Sequence, residues 1–330
     1  MRKTIQALTL VLFATFAVHT LAAIVLCSVT LHPRHKPMTA KMLKEADGIA
    51  QQANAEISDV QITSFDGAKL SGWLFKLPSG SGDTVILLHG SGDNRAGMLG
   101  YIPMFLRHRY NVLVPDSRAH GQSGGEIATF GIKESQDLSR WVGWLSAEEH
   151  SRCVYGLGES MGAAILLEAL PGEPRFCAVV AESPFSSMRE VAYDRLGQRF
   201  GAGARVGRTV FRPLIDEAFL YARIHNQVDF DQASPANAVA RTHVPILLIH
   251  GTEDFNIPVR HCQAMVRNHS GPMEFWEVPG AGHTGALGRA PQEFERRVMA
   301  WFSRYSRPAG STHPATPARA VDFAALAHWR

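Results

Sequence analysis

Gly158-Glu159-Ser160-Met161-Gly162 stands between an apolar run, Cys153–Leu157, and a helix-forming run, Ala163–Leu170. A serine set between glycines at a strand-to-helix switch sits on a turn tight enough to strain its backbone, and the small residues at the edges let the chain pass. The hydroxyl is then exposed at a strand end, beside a helix N-terminus. That placement suits a nucleophile whose transition state carries an oxyanion. Gly158 and Gly162 are expected to shape such a nucleophile elbow around Ser160.

A rival reading of the same stretch is a dinucleotide site. Gly156-x-Gly158-x-x-x-Gly162 approaches the glycine fingerprint of such sites, and Glu182 ends the next apolar run, where a ribose-binding acid would sit. Against it, Met161 replaces the third glycine, about 150 residues precede the motif, and the remaining motifs go unexplained.

A serine hydroxyl is a weak nucleophile until a base takes its proton. Gly280-Ala281-Gly282-His283-Thr284 offers one histidine in a loop of small residues, able to bring an imidazole to Ser160. By itself this is an ordinary surface histidine; the elbow makes it a base. The imidazole in turn needs a carboxylate to fix its tautomer. His250-Gly251-Thr252-Glu253-Asp254-Phe255-Asn256-Ile257-Pro258 supplies two, Glu253 and Asp254. Asp254 is preferred, because its shorter side chain lies two residues before the helix start expected at Asn256–Pro258. An oxyanion hole needs two backbone N–H groups. Met161 supplies one, and Ser91, in His89-Gly90-Ser91-Gly92-Asp93-Asn94, is expected to supply the other. Asp116 and His120 are read as holding a loop at the sheet edge rather than as chemistry.

Positioning these groups requires strands that end at one edge. Val60–Phe65 and Leu70–Phe75 read as a hairpin turning at Asp66-Gly67. Val85–Leu88, Asn111–Pro115, Cys153–Leu157, Ala178–Ala181, Val244–His250 and Glu274–Val278 read as further strands. Helices are expected over 95–107, 132–147, 161–170, 258–267 and 291–304. Short apolar strands alternating with helices predict an α/β fold, a mostly parallel sheet covered on both faces. Residues 185–240 break the alternation with aromatics and arginines. They are expected to form a small helical cap, since an ordinary crossover needs fewer residues.

The chain has 330 residues, 45% hydrophobic and 19% charged, with a net charge of +3. No basic stripe interleaved with aromatics is visible, so no nucleic-acid partner is expected. No zinc or H-E-x-x-H spacing occurs, so neither metal nor cofactor is implied. Cys27, Cys153, Cys177 and Cys262 show no paired spacing, and Cys153 and Cys177 are read as inert core thiols. Arg2 and Lys3 precede 27 mostly apolar residues, Ile5–Leu31. That run is long enough to cross a bilayer and longer than a signal-peptide core. The expected domains are a membrane anchor over 1–37, a catalytic domain over 38–306 and a poorly ordered tail over 307–330, whose stretch Val321–Trp329 reads as a short helix. The catalytic domain is expected outside the cytoplasm, although Arg34, Lys36, Lys41 and Lys44 flank the far end of the run. Cleavage and secretion is the alternative.

From about Ser58 to Phe302 the chain resembles the α/β-hydrolase superfamily. The resemblance rests on His89-Gly90-Ser91-Gly92, Asp116 to Gly125, Gly158 to Gly162, His250 to Pro258 and Gly282-His283, in the family's order. Within it the chain looks like the serine aminopeptidase-like and membrane-anchored serine hydrolases, on the N-terminal run and on Phe65-Asp66-Gly67 with Leu70-Ser71-Gly72-Trp73. The resemblance implies hydrolysis by Ser160, Asp254 and His283 without a cofactor. A serine nucleophile argues against dehalogenases and epoxide hydrolases. The expected substrate is a small-molecule or lipid-like acyl ester, with amides and thioesters as alternatives. A binding module with a silent site is the non-enzymatic alternative. The oligomeric state is left open.

Overall fold

The computed structural model describes residues 2–307 apart from 202, 268 and 270. Of the tail expected over 307–330, all but Arg307 lies outside the described residues, as does the short helix expected over Val321–Trp329.

Eight strands form one sheet: β1 (Glu56–Thr63), β2 (Lys69–Lys76), β3 (Thr84–Leu88), β4 (Asn111–Pro115), β5 (Val154–Glu159), β6 (Phe176–Glu182), β7 (Ile246–Gly251) and β8 (Met273–Val278), in the order β1-β2-β4-β3-β5-β6-β7-β8. The β1–β2 hairpin joins β4 in antiparallel register, and β4 to β8 run parallel. Strands β3, β6 and β7 are buried along their whole length. Covered on both faces, they read as continuous apolar runs rather than alternating ones.

The helices are α1 (Arg2–Leu31), α2 (Ala40–Gln52), α3 (Ile102–Arg107), α4 (Glu134–Ala147), α5 (Met161–Ala169), α6 (Met188–Arg199), α7 (Ala204–Val210), α8 (Arg212–His225), α9 (Pro235–Val239), α10 (Arg260–Val266), α11 (Ala286–Arg289) and α12 (Pro291–Arg304). On one sheet face α2, α3 and α12 bury Ala46, Phe105, Phe294 and Phe302 against Phe75, Val85 and Leu87. On the other, α4, α5, α9 and α10 bury Trp141, Ile165, Val239 and Met265 against Ile86, Val179 and Leu248. A third cluster joins Ala23, Cys27 and Leu31 of α1 to Phe185, Met188, Ala218, Ala222 and Phe230.

Two expectations are corrected, and one helix is additional. The helix expected over 95–107 is broken: Arg95–Met98 is a 3₁₀ turn, and α3 begins at Ile102 with Pro103 in its first turn. Proline lacks an N–H and fits only there, so it sets a start rather than continuing a helix. Helix α2, not foreseen, begins where the Thr39 hydroxyl accepts from the Met42 N–H at 3.3 Å. Finally, Cys153 and Cys177 are joined in a disulfide, with Cα atoms 5.8 Å apart. Cys153 directly precedes β5 and Cys177, 24 residues on, lies in the neighbouring parallel strand β6, where the pairing shifts register between Val154 and Tyr155. Cys27 and Cys262 are free and buried.

Residues 185–240 carry α6 to α9. Helices α6 and α8 pack with α1, whereas Val239 of α9 joins the sheet-covering layer. The first part of α1, through Val18, is exposed on every side. From His19 on, one face packs on α8. His19 Nδ1 and the Thr20 hydroxyl each lie 2.6 Å from the Glu217 carboxylate. At the end of α1 the Leu31 carbonyl accepts from the Ala128 N–H, and beyond it Lys36 pairs with Asp93.

Candidate active site

Strand β5 ends at Glu159 and α5 begins at Met161, leaving Ser160 alone to turn the chain. Its backbone sits at φ 52°, ψ −115°. That region is costly for a residue with a side chain and persists only where the surroundings enforce it. The Ser160 N–H donates to the Glu182 carbonyl at 2.8 Å. The turn closes because its glycines admit backbone contact. A Cβ on Gly158 would lie 2.5 Å from the Gly162 backbone, and one on Gly162 would lie 2.2 Å from the Leu88 carbonyl oxygen.

The loops after β7 and β8 bring the other two side chains to this turn. His283 Nε2 lies 2.9 Å from Ser160 Oγ, and His283 Nδ1 lies 2.8 Å from Asp254 Oδ2. Facing a carboxylate, Nδ1 carries the proton and donates. Nε2 is then left to accept from the serine hydroxyl. Asp254 is held on both oxygens. Oδ1 accepts from the Asn256 and Ile257 N–H groups at 3.0 and 2.9 Å. Oδ2 also faces His250 Nε2 at 3.3 Å. Burial would raise the Asp254 pKa, but hydrogen bonds from His250, His283 and Ile257 outweigh it and hold the carboxyl well below its ordinary value. For His250, burial opposes charging, yet the Asp254 carboxylate raises its pKa.

Ser91 and Met161 flank Ser160 and His283 in the wall of one cavity of about 940 Å³. Ser91 is exposed and Met161 buried. The loop bearing Ser91 is pinned by two histidines. His89 Nε2 accepts from the Ser117 N–H at 3.0 Å, and His120 Nε2 accepts from the Gly92 N–H at 3.1 Å. Burial, and then the neighbouring His89, lowers the His120 pKa to about 4, so near neutral pH it stays an acceptor. Asp116 accepts from the Arg95 backbone and guanidinium and from the Gln122 N–H. Both residues hold loops.

Glu182, the ribose-binding acid of the dinucleotide reading, is fully buried. It accepts from the Tyr101 hydroxyl at 3.0 Å and from the Ala286 N–H at 2.9 Å, and it faces no open site.

Two arrangements escaped the sequence. Ser186 Oγ lies 2.8 Å from His261 Nδ1, and His261 Nε2 lies 2.7 Å from Asp194 Oδ2. The residue types repeat those at Ser160, but all three are buried and none lines the large cavity. The Ser186 N–H also donates to the same Nδ1 at 3.0 Å. This chain ties α6 and α10 to the loop after β6. No spacing signals it.

The second arrangement lies beneath the nucleophile. Tyr101 donates to Glu182 and, at 3.3 Å, to Glu159, while the Gly90 N–H also bonds Glu159. Burial, and then the charge of Glu182, raises the Glu159 pKa to about 7. A carboxyl whose folded pKa exceeds its ordinary value binds its proton more tightly when folded. Its contribution is therefore full below the ordinary carboxyl range and lost as pH rises through about 7. Glu159→Gln cannot titrate. Between pH 5 and 8 its unfolding free energy in urea is expected to fall less than that of the wild type, by on the order of 2–3 kcal/mol. Parallel pH profiles for the two proteins would refute the assignment.

A model of the alpha/beta hydrolase family matches residues 85–297. Protein YqkD of Bacillus subtilis is 27% identical over 225 residues, covering 67% of this chain and 72% of YqkD. Protein YfhR of Escherichia coli K12 is 26% identical over 251 residues, covering 74% of this chain and 79% of YfhR. Among solved structures, the Pyrococcus furiosus esterase Pf2001 superposes with a TM-score of 0.66 at 28% identity, covering 84% of this chain and 98% of the esterase.

Proposed function

We propose that this chain, which belongs to the alpha/beta hydrolase family, is a membrane-anchored serine hydrolase of carboxylic esters. The observation that carries the reading is the continuous hydrogen-bonded chain from Ser160 through His283 to Asp254, opening on a large cavity. Ser160 Oγ attacks the ester carbonyl as His283 Nε2 takes its proton. The tetrahedral oxyanion rests on the N–H groups of Met161 and Ser91. His283 then gives the proton to the departing alkoxide, leaving an acyl-serine and a free alcohol. Water, deprotonated by the same nitrogen, attacks the acyl-serine and releases the acid. Asp254 keeps the imidazole in the tautomer that both steps need. An ester is favoured over an amide because an amine is the poorer leaving group. The likeness to a Pyrococcus esterase supports the same choice.

In this reading residues 1–37 contain the anchor, 38–306 the catalytic domain and α6 to α8 its cap. The run of α1 is long and apolar enough to span a bilayer. The Cys153–Cys177 disulfide supports a catalytic domain outside the cytoplasm, since such bonds persist in oxidising compartments.

The test is fluorophosphonate labelling of the full chain in detergent, beside Ser160→Ala. Wild-type labelling that is lost in the variant, with the circular dichroism spectrum unchanged, is the expected result. A folded wild type that takes no label would sink the mechanism.

A further inference from the structure

The cavity in front of Ser160 is not closed by the hydrolase fold alone. Leu26, Cys27, Val29 and Thr30, on the last two turns of α1, form part of its wall. Val29 is 68% exposed in the chain and still lines the cavity. Phe185, Met188, Phe219, Phe230 and other apolar side chains line it too, so the cavity wall is dominated by hydrocarbon.

The length of α1 places this wall relative to a bilayer. From Thr4 to Val18 every residue of the helix is exposed, and this stretch rises about 22 Å at 1.5 Å per residue. That is most of the roughly 30 Å of a hydrocarbon core. His19 and Thr20 mark the level where polar side chains of α1 bond another element, at Glu217. Leu26 lies about 10 Å further along the helix. The cavity therefore begins within a short distance of the hydrocarbon boundary, on the same helix that crosses it. Helix α8, on which α1 lies, also exposes Leu220 and Ile224. Arg34 and Arg199, both exposed, line the cavity too, and cations suit the headgroup layer.

We propose that α1 is both the anchor and a specificity wall, so that the substrate is a long-chain acyl ester resident in the bilayer, whose acyl chain passes along Leu26 and Val29 to bring its carbonyl to Ser160. This rests on the ester-hydrolase reading above. It requires that α1 stay attached, because removing it would take Ala23, Cys27 and Leu31 from a buried cluster and open the cavity.

The experiment uses the full chain in phosphatidylcholine vesicles, with p-nitrophenyl acetate as a short ester and dioleoylglycerol as a bilayer ester. Leu26→Trp fills the chain's path, and Val29→Trp does so from a more exposed position that tolerates bulk. Val25→Trp is the control: Val25 is 52% exposed and does not line the cavity. The expected result is that Leu26→Trp and Val29→Trp lose about 10–100-fold in kcat/KM on dioleoylglycerol, as ill-fitting apolar pockets do. Acetate hydrolysis should hold near the wild-type rate, and Val25→Trp should change neither. Dioleoylglycerol in the enzyme's own vesicles should also be cleaved far faster than in separate ones.

Unchanged dioleoylglycerol rates in both cavity variants overturn the proposal, as do equal rates on own and separate vesicles. A wild type that cleaves acetate but not dioleoylglycerol overturns it while leaving the hydrolase reading intact. A wild type inert toward both esters and toward fluorophosphonate removes the hydrolase reading and this proposal with it. If Leu26→Trp loses acetate hydrolysis and fluorophosphonate labelling together, it has misfolded, and Val29→Trp decides.

Discussion

Asp254→Asn is expected to lower kcat on a simple ester by about 10⁴ with the fold intact, while Glu253→Gln stays near the wild type. The two carboxylates are neighbours in sequence but not in surroundings. Asp254 is buried, with Oδ1 on two loop amides and Oδ2 2.8 Å from His283 Nδ1. Glu253 is exposed. In the asparagine variant the Oδ1 position must remain an acceptor, because both loop N–H groups point at it. The amide NH₂ is thereby forced onto the side facing His283, where a donor meets a donor. The imidazole then gains most by moving its proton to Nε2, and Nε2 can no longer accept from Ser160. The loss should appear in kcat rather than in KM, because the cavity is untouched. Equal losses in the two variants would mean that the local charge matters and the Asp254–His283 bond does not.

The sequence disclosed those parts of the site that sit at strand ends among small residues. Ser160 and Asp254 each follow an apolar run that forms a buried strand, and His283 follows the half-buried edge strand β8. Asp254 is preferred over Glu253 in the sequence for its shorter side chain ahead of an expected helix start, and in the structure the amides of Asn256 and Ile257 bond its Oδ1. What stayed hidden depends on partners distant in the chain. The Cys153–Cys177 bond depends on how β5 and β6 pair, including a register shift between Val154 and Tyr155, which spacing does not encode. Tyr101 reaches Glu159 and Glu182 across 58 and 81 positions. The packing of α1 was illegible for another reason. Its residues are apolar on all sides, so no periodicity marks the face that Ala23, Cys27 and Leu31 turn toward α8.

Gly162→Ala is expected to destabilise the fold by about 3 kcal/mol or more and to depress activity with it, whereas Gly143→Ala should stabilise by roughly 0.5–1 kcal/mol. Both glycines lie in helices, α5 and α4, where alanine is the better helix former by about 1 kcal/mol. Propensity alone predicts a gain at both. The neighbours decide otherwise at one. A Cβ on Gly143 meets only the Arg175 guanidinium at 3.7 Å, an ordinary contact with the end of a flexible side chain. On Gly162 it meets the Leu88 oxygen at 2.2 Å, the Leu88 carbon at 2.6 Å and the His89 oxygen at 2.8 Å. None of these is a side chain that can turn away. Relief requires the end of β3 to move from α5, and β3 leads directly into His89-Gly90-Ser91, the loop that presents the proposed second oxyanion donor. Stability and catalysis therefore fall together at Gly162. Urea midpoints and ester kinetics on the two variants check this. A Gly162→Ala protein with wild-type stability and rate would mean that the elbow does not depend on this backbone contact.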